Sequence, residues 1–289
     1  MSRFRFVEDH QARYPVKRLC ELVEVSRSGF YAWRDRPPSQ RSNVDAELLV
    51  EVRAIHERSR GTYGAPRVEG QLRRRGRRHG RKRVARLMRQ NGLVGAHARR
   101  RWRRGRPDTA PAPDLLERDF TAAEPDQRWV GDITEFATGD GKLYLAAIVD
   151  LHDRSVVGWS MRERATTDLV IDALVMAIGR RQPDREVVHH SDRGSVYTSL
   201  RFANHLEDYG LVASFGSTGD AYDNAAMEAF WATLKRELAW IHHRDRWASR
   251  AELRAALFDY IETFYNRSRH QARLDHRTPS EVYAATAAA

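Results

Sequence analysis

One cysteine, Cys20, stands in 289 residues, so the chain can close no disulfide on itself and has no thiolate cluster for zinc. Any metal must be held by oxygen or imidazole. Long apolar runs are missing as well: the longest covers 143–149, against the roughly 18 or more residues that a membrane span needs. Arg3, Arg5, Glu8 and Asp9 interrupt the segment where a signal peptide would carry its apolar core, so a cytoplasmic location and no membrane partner are expected. No Gly-rich phosphate loop of the ATP-binding kind occurs, which argues against a nucleotide cofactor. Acidic residues are absent from one long stretch, 73–106, which holds 16 basic residues.

Hydrophobic residues make up 41% of the chain, enough to bury a substantial core in two or more units. The net charge of +11 hides an asymmetry. Residues 1–120 hold 30 Lys and Arg against 14 Asp and Glu, whereas the remainder holds 20 against 25. The basic stretch is interrupted by Val84, Leu87 and Met88 at helical spacing and by Trp102, unlike a plain solvated tail. It reads as a nucleic-acid surface. Each cation that neutralises a phosphate releases counterions, so binding should be tight at low salt and fall steeply as salt rises. Arg81, Lys82, Arg99, Arg100, Arg101, Arg103 and Arg104 are the candidate phosphate contacts.

In chain order, a short helix is expected over 4–10, and Pro15 suits the first turn of the next. Val16, Leu19, Cys20 and Val23 form an apolar face, Glu24 and Val25 allow a turn, and Ser26 can cap a second helix carrying Phe30, Tyr31 and Trp33. This is a helix-turn-helix pattern that would show Arg27, Ser28 and Arg34 to a DNA groove, the alternative being a helical pair that packs on a neighbour. Pro37 and Pro38 close this N-terminal unit, 1–38. Helices over 43–58, 66–74 and 81–90, the last stopped by Asn91-Gly92, make a basic helical DNA-binding region over 39–106. Pro107, Pro111 and Pro113 mark a linker over 107–118.

Beyond the linker, β-type runs replace helical spacing. Runs at 127–136, 142–151 and 155–161 read as consecutive antiparallel strands. A helix over 167–179, a buried strand over 186–190, a helix over 200–209 and a strand over 211–215 follow. This order gives an α/β fold, a mixed sheet with helices packed on it, over 119–284. A helix over 222–238 carries Met227, Phe230, Trp231, Leu234 and Leu238 on one apolar stripe, with Asn224, Glu228 and Lys235 on its shoulder. Alone, that pattern is an ordinary amphipathic helix.

Three acids stand out: Asp132 on the first strand, Asp192 just past the fourth, and Glu228 on the late helix, with 35 residues between the last two. Here the chain resembles the integrase-like transposases that carry an Asp-Asp-Glu triad on a ribonuclease-H-like core, and most nearly the OrfB subunit of the IS-three family of bacterial insertion sequences. The segments that carry the resemblance are Trp129-Val-Gly-Asp-Ile-Thr134, His190-Ser-Asp-Arg-Gly-Ser195 with Tyr197, and Asp223-Asn-Ala-Ala-Met-Glu-Ala-Phe230 with Leu234-Lys235. The tail Tyr265-Asn266, Arg269-His270 and Thr278-Pro279 fits too, and the two helical units of the front half extend the likeness over nearly the whole chain. Gly131 departs from it, since Thr is more usual before the first Asp, and so does Asp275-His276-Arg277.

The resemblance implies a DNA transposase that cleaves its element's ends and transfers the freed 3′ hydroxyl by in-line displacement at two Mg²⁺ ions, with Mn²⁺ able to substitute. Phosphodiester transfer needs an activated oxygen, a stabilised leaving 3′ oxygen and shielded phosphate charge, which two hard cations held by carboxylates can supply. Asp132, Asp192 and Glu228 would be the catalytic acids and metal ligands, Asp132 the bridging one. Lys235 would meet DNA phosphate near the cut. His190 and Asn224 are candidates either to orient a carboxylate or DNA, or to support a turn or cap. A turn role is expected of Asp150 and Asp153, with Asp150 next in line should Asp132 prove wrong. Implied partners are double-stranded DNA, both terminal repeats and target, an OrfA subunit or OrfA–OrfB fusion, and further copies of the chain assembled on DNA at the nucleoid. Two other readings stay open: an inactive helix-turn-helix regulator, and a ribonuclease-H-like nuclease without strand transfer.

Overall fold

In the computed structural model, residues 3–97, 122–215 and 225–287 are described, and they divide into two compact units, 1–51 and 52–289. The first unit contains α1 (Arg3–His10), α2 (Val16–Leu22) and α3 (Arg27–Arg34) around Val7, Leu19, Cys20 and Phe30. The expected turn is present. Glu24 takes the left-handed conformation at φ 55°, and Ser26 caps α3 by accepting a 3.0 Å hydrogen bond from the Gly29 amide. Arg27 and Arg34 are exposed, although Arg34 is paired with Asp35 at 2.9 Å and lies over the Tyr31 ring. One longer helix, α4 (Gln40–Arg58), follows.

The second unit is built on a five-stranded sheet of β1 (Arg128–Thr138), β2 (Gly141–Asp150), β3 (Val156–Arg162), β4 (Val187–Ser191) and β5 (Leu211–Phe215), in the order β3-β2-β1-β4-β5. The first three strands are antiparallel, and β4 and β5 join in parallel. β2 shows why the sheet needs cover on both sides. Leu143, Leu145, Ala147 and Val149 face one core, and Ala146 and Ile148 face the other, as a period of two requires. The first core is completed by α9 (Ala225–Ile241), α10 (Arg250–Phe258) and a π-type turn over Asp259–Tyr265; the second by α7 (Thr167–Arg181) and α8 (Leu200–Asp208). At Gly158 a Cβ would stand 2.1 Å from the Ala173 carbonyl oxygen, so glycine is what lets α7 lie down on β3.

The turn after β2 uses its acids as hydrogen-bond acceptors. Asp150 accepts from the amides of Asp126 and His152 at 2.7 Å and of Asp153 at 3.1 Å, while Asp153 accepts from Ser155 and pairs with Arg181 at 2.6 Å. Asp150 and Asp153 therefore have the turn role expected of them. The basic helices α5 (Ala65–Arg74) and α6 (Arg81–Gln90) belong to the same compact unit as the sheet. Gln71 donates to the His276 carbonyl at 2.8 Å, and the Tyr63 hydroxyl accepts from the His270 amide at 2.6 Å. Arg74, within the acid-free stretch, is held by Glu281 at 3.1 Å, so that stretch is not wholly left for nucleic acid.

Candidate active site

Asp132 sits where β1 passes under α9. On that strand Trp129 belongs to the core against α7 and α8, and Val130 to the core against α9, so alternation turns Asp132 toward α9 with Val130. Its Oδ2 accepts a 2.8 Å hydrogen bond from the Trp231 indole, and its Oδ1 accepts from the Ile133 amide at 2.8 Å. The carboxyl is pushed up to about 6, by burial first and then by the charges of Asp192 and Glu228, against the two hydrogen bonds that hold it down. Asp192 and Glu228 are thus both within electrostatic reach of Asp132.

The parallel register pairs Val130 with His190, each two residues before its acid, and β4 ends at Ser191, immediately before Asp192. Asp192 is exposed and turns back on its own loop, accepting from the Gly194 amide at 2.9 Å. Glu228 is exposed in the first turn of α9, the end of a helix that favours a negative charge. Lys235, two turns along, donates to the Glu135 carbonyl at 3.2 Å and lies 5.0 Å from the centre of the Phe136 ring. His190 is buried with Nδ1 3.0 Å from the Ser214 hydroxyl across the β4–β5 ladder. Arg81 and Lys82 are exposed at the start of α6. Asn224, Arg99, Arg100, Arg101, Arg103, Arg104 and the linker 107–118 lie outside the described residues.

Three residues at the site carry more than sequence reading gave them. Trp231, counted only as part of an apolar stripe, ties the helix of Glu228 to the strand of Asp132. Tyr197 is buried, and its hydroxyl is pushed well above its ordinary range by burial and then by the charges of Asp132 and Asp192. His189 is buried against Tyr197 and Phe202, its Nε2 has no hydrogen-bond partner, and burial and His190 lower it to about 4, so it is neutral. It also accounts for Gly131, where a Cβ would stand 2.8 Å from His189 Nε2 and 3.5 Å from the Tyr197 hydroxyl. Trp231 left one signal in the sequence, an indole N–H on the stripe's edge nearest Glu228, and Tyr197 another, its place in the segment after Asp192 that carries the resemblance.

Among the described residues, no group of three or more His, Cys, Asp or Glu is gathered closely enough to hold a metal ion. Both Asp132 oxygens are engaged by N–H donors, and the acids communicate through charge rather than through a shared centre. Their chemistry nevertheless fits a hard divalent cation. The set is three carboxylates, and the electrostatic load on Asp132 is of the kind a cation discharges.

An integrase core domain model matches residues 122–221, a second integrase core model matches 228–283, and an HTH-like domain model matches 43–101. The chain is 39% identical over 284 residues to the transposase InsF for insertion sequence IS3A of Escherichia coli (strain K12), covering 96% of this chain and 97% of that one. It is 39% identical over 264 residues to the insertion element IS600 uncharacterized 31 kDa protein of Shigella sonnei, covering 91% and 96%. Among solved structures it is similar to the HTLV-2 integrase catalytic core domain in complex with magnesium, at 18% identity and a TM-score of 0.42, over 56% of this chain and 98% of that one.

Proposed function

We propose, because this chain belongs to the IS3 family of insertion-sequence transposases, polynucleotidyl transferases with an integrase core, that Asp132, Asp192 and Glu228 are its catalytic acids. The observation that carries the assignment is that Asp192 and Glu228, 60 and 96 positions away in sequence, both act on the charge of the buried Asp132. In this reading the three carboxylates, once drawn together, would hold two Mg²⁺ ions, or Mn²⁺ in their place. When bound, such ions supply an activated oxygen nucleophile, a stabilised leaving 3′ oxygen and shielding of the phosphate.

The chain's own residues contribute position. Trp231 holds one oxygen of Asp132 and ties Glu228's helix to the strand, Gly194 steers Asp192, and the buried Tyr197 remains a neutral phenol beside two carboxylates. Lys235, displaced from the Glu135 carbonyl, meets a DNA phosphate near the cut. The exposed Arg27, Arg81 and Lys82 add phosphate contacts. The substrate is double-stranded DNA at the element's ends and at the target, with an OrfA product and further copies of the chain as partners.

A strand-transfer assay with labelled element ends and Mg²⁺ tests the reading. The wild-type chain, with its OrfA partner, is expected to yield both nicked and joined products. Asp192→Asn is expected to abolish both steps while DNA binding stays within about two-fold. Strand transfer surviving in that variant would remove Asp192 from the site; cleavage without joining would make the chain a nuclease, and binding alone a regulator.

A further inference from the structure

Two hydrogen bonds that tie α9 to β1 come from side chains one helical turn apart. The Trp231 indole N–H donates to Asp132 Oδ2 at 2.8 Å, and Lys235 donates to the Glu135 carbonyl at 3.2 Å. The indole has little freedom to move: it is 7% exposed, packed in the core over β1 and β2, with its centre 4.7 Å from that of the Phe230 ring. The other Asp132 oxygen accepts from the Ile133 amide at 2.8 Å, a donor on the same strand that moves with it. A carboxylate turns easily about its last torsion, so a neighbour in sequence does not by itself fix its plane, whereas a locked donor on another element does. An ionised carboxylate has about four acceptor sites, and the two N–H groups take one on each oxygen, which leaves one on each for a cation.

We propose that Trp231 is a positioning residue for the metal-binding acids: its indole N–H sets the plane of the Asp132 carboxylate, keeps that bond when a divalent cation arrives, and fixes the stretch of α9 from which Glu228 reaches toward it. Glu228 stands three residues earlier on the helix, about 4.5 Å along its axis and about 60° around it, so whatever holds Trp231 against β1 also holds the backbone of Glu228. A hydrogen bond to an ionised acceptor is the short, strong kind, and partners that orient a metal-ligating carboxylate in this way are worth about ten- to hundred-fold in metal affinity. Lys235, the other tie, is the side chain assigned above to a DNA phosphate. Once it leaves the Glu135 carbonyl, the indole bond remains to fasten this face of α9 to β1. A phenylalanine at 231 would fill most of the same space against Phe230 without making the bond, so the indole nitrogen, rather than the bulk of the ring, is the functional part. This role rests on the reading of Asp132, Asp192 and Glu228 as the acids that hold metal.

The test uses the full chain on duplex element ends that are already cleaved and finish in a 3′-deoxy nucleotide, so that no transfer follows, with Mn²⁺ as the probe and its free concentration read by electron paramagnetic resonance. In Trp231→Phe the Mn²⁺ affinity is expected to fall by about ten- to hundred-fold, while melting stays cooperative and DNA affinity is unchanged. With 5-fluorotryptophan in place of tryptophan, the ¹⁹F resonance missing from the variant is expected to be broadened by Mn²⁺ in the wild-type chain; no broadening would place the cation away from Trp231 and overturn the proposal. A folded variant that binds Mn²⁺ as tightly as wild type would also overturn it, since a ring that only packs costs stability and leaves the metal alone. Tighter binding in the variant would do the same, by showing that the indole competes with the cation for Asp132. Should Trp231→Phe fail to melt cooperatively, Trp231→Met, which fills irregular space without an N–H, decides by the same titration. Asp192→Asn and Glu228→Gln separate this role from the reading beneath it. If both leave Mn²⁺ affinity unchanged while Trp231→Phe lowers it, the assignment of those two acids falls and Trp231 keeps its role on Asp132; if both lower it and Trp231→Phe does not, the acids stand and the role of Trp231 falls. A wild-type complex that takes up no Mn²⁺ would strike both.

Discussion

Asp132 is pulled in two directions: burial and two neighbouring acids favour its protonated form, while the Trp231 and Ile133 N–H groups favour the carboxylate. Its pKa of about 6 exceeds the ordinary value in an unfolded chain, so folding is favoured by this group below pH 4 and loses that favour as pH rises through 6. In metal-free protein, Asp132→Asn is therefore expected to raise stability by about 1–3 kcal/mol above pH 6, an advantage that fades by pH 4, while abolishing strand transfer. Thermal melts of both proteins across that pH range measure it. Gly131 supports a second expectation. Gly131→Thr drives a side chain into His189 and Tyr197 and should cost about 1–3 kcal/mol in urea unfolding, with a smaller cost in a His189→Ala background.

At the scale of elements, α9 does several tasks on different faces. Its apolar stripe closes the core over β1 and β2, its shoulder carries Glu228, Trp231 and Lys235, and near its end Glu237, 1% exposed, anchors Arg67 of α5, Arg269 and the Tyr260 hydroxyl. The two arginines hold the Glu237 carboxyl below its usual range in spite of burial, so its contribution is present above pH 4 to 5 and is lost as acid protonates it. Glu237→Ala strands a buried guanidinium and is expected to destabilise by about 3–5 kcal/mol at pH 7, read from the urea midpoint. A drop under about 1 kcal/mol would mean that α5 and the C-terminal segment are held by packing instead.

Over the whole molecule, charge is divided by task. Arg67 and Arg74 join α5 to the rest of its compact unit through Glu237 and Glu281, and Arg60, ahead of α5, pairs with Asp259, whereas Arg81 and Lys82 remain exposed. The basic run beyond them has no carboxylate within it. Replacing Arg99, Arg100, Arg101, Arg103 and Arg104 with Gln is expected to weaken binding to all DNA sequences alike and to flatten the salt dependence by about 0.9 for each phosphate left without its cation. Competition titrations with specific and random duplexes check it, and weakening confined to the specific duplex would mean that these arginines read bases.

Much of the architecture was legible in the residues themselves. Period-two alternation, the Ser26 cap, the proline punctuation and the 35-residue interval from Asp192 to Glu228 are local or one-dimensional signals, and they specified strands, helices and a trio of acids. That Asp150 is a turn acceptor, that Trp231 grips Asp132, and that His189 fills the space over Gly131 were decided only by the fold. Each depends on which distant side chain arrives beside which, and the spacing of residues along a chain carries no information about that until the sheet and its helices have closed.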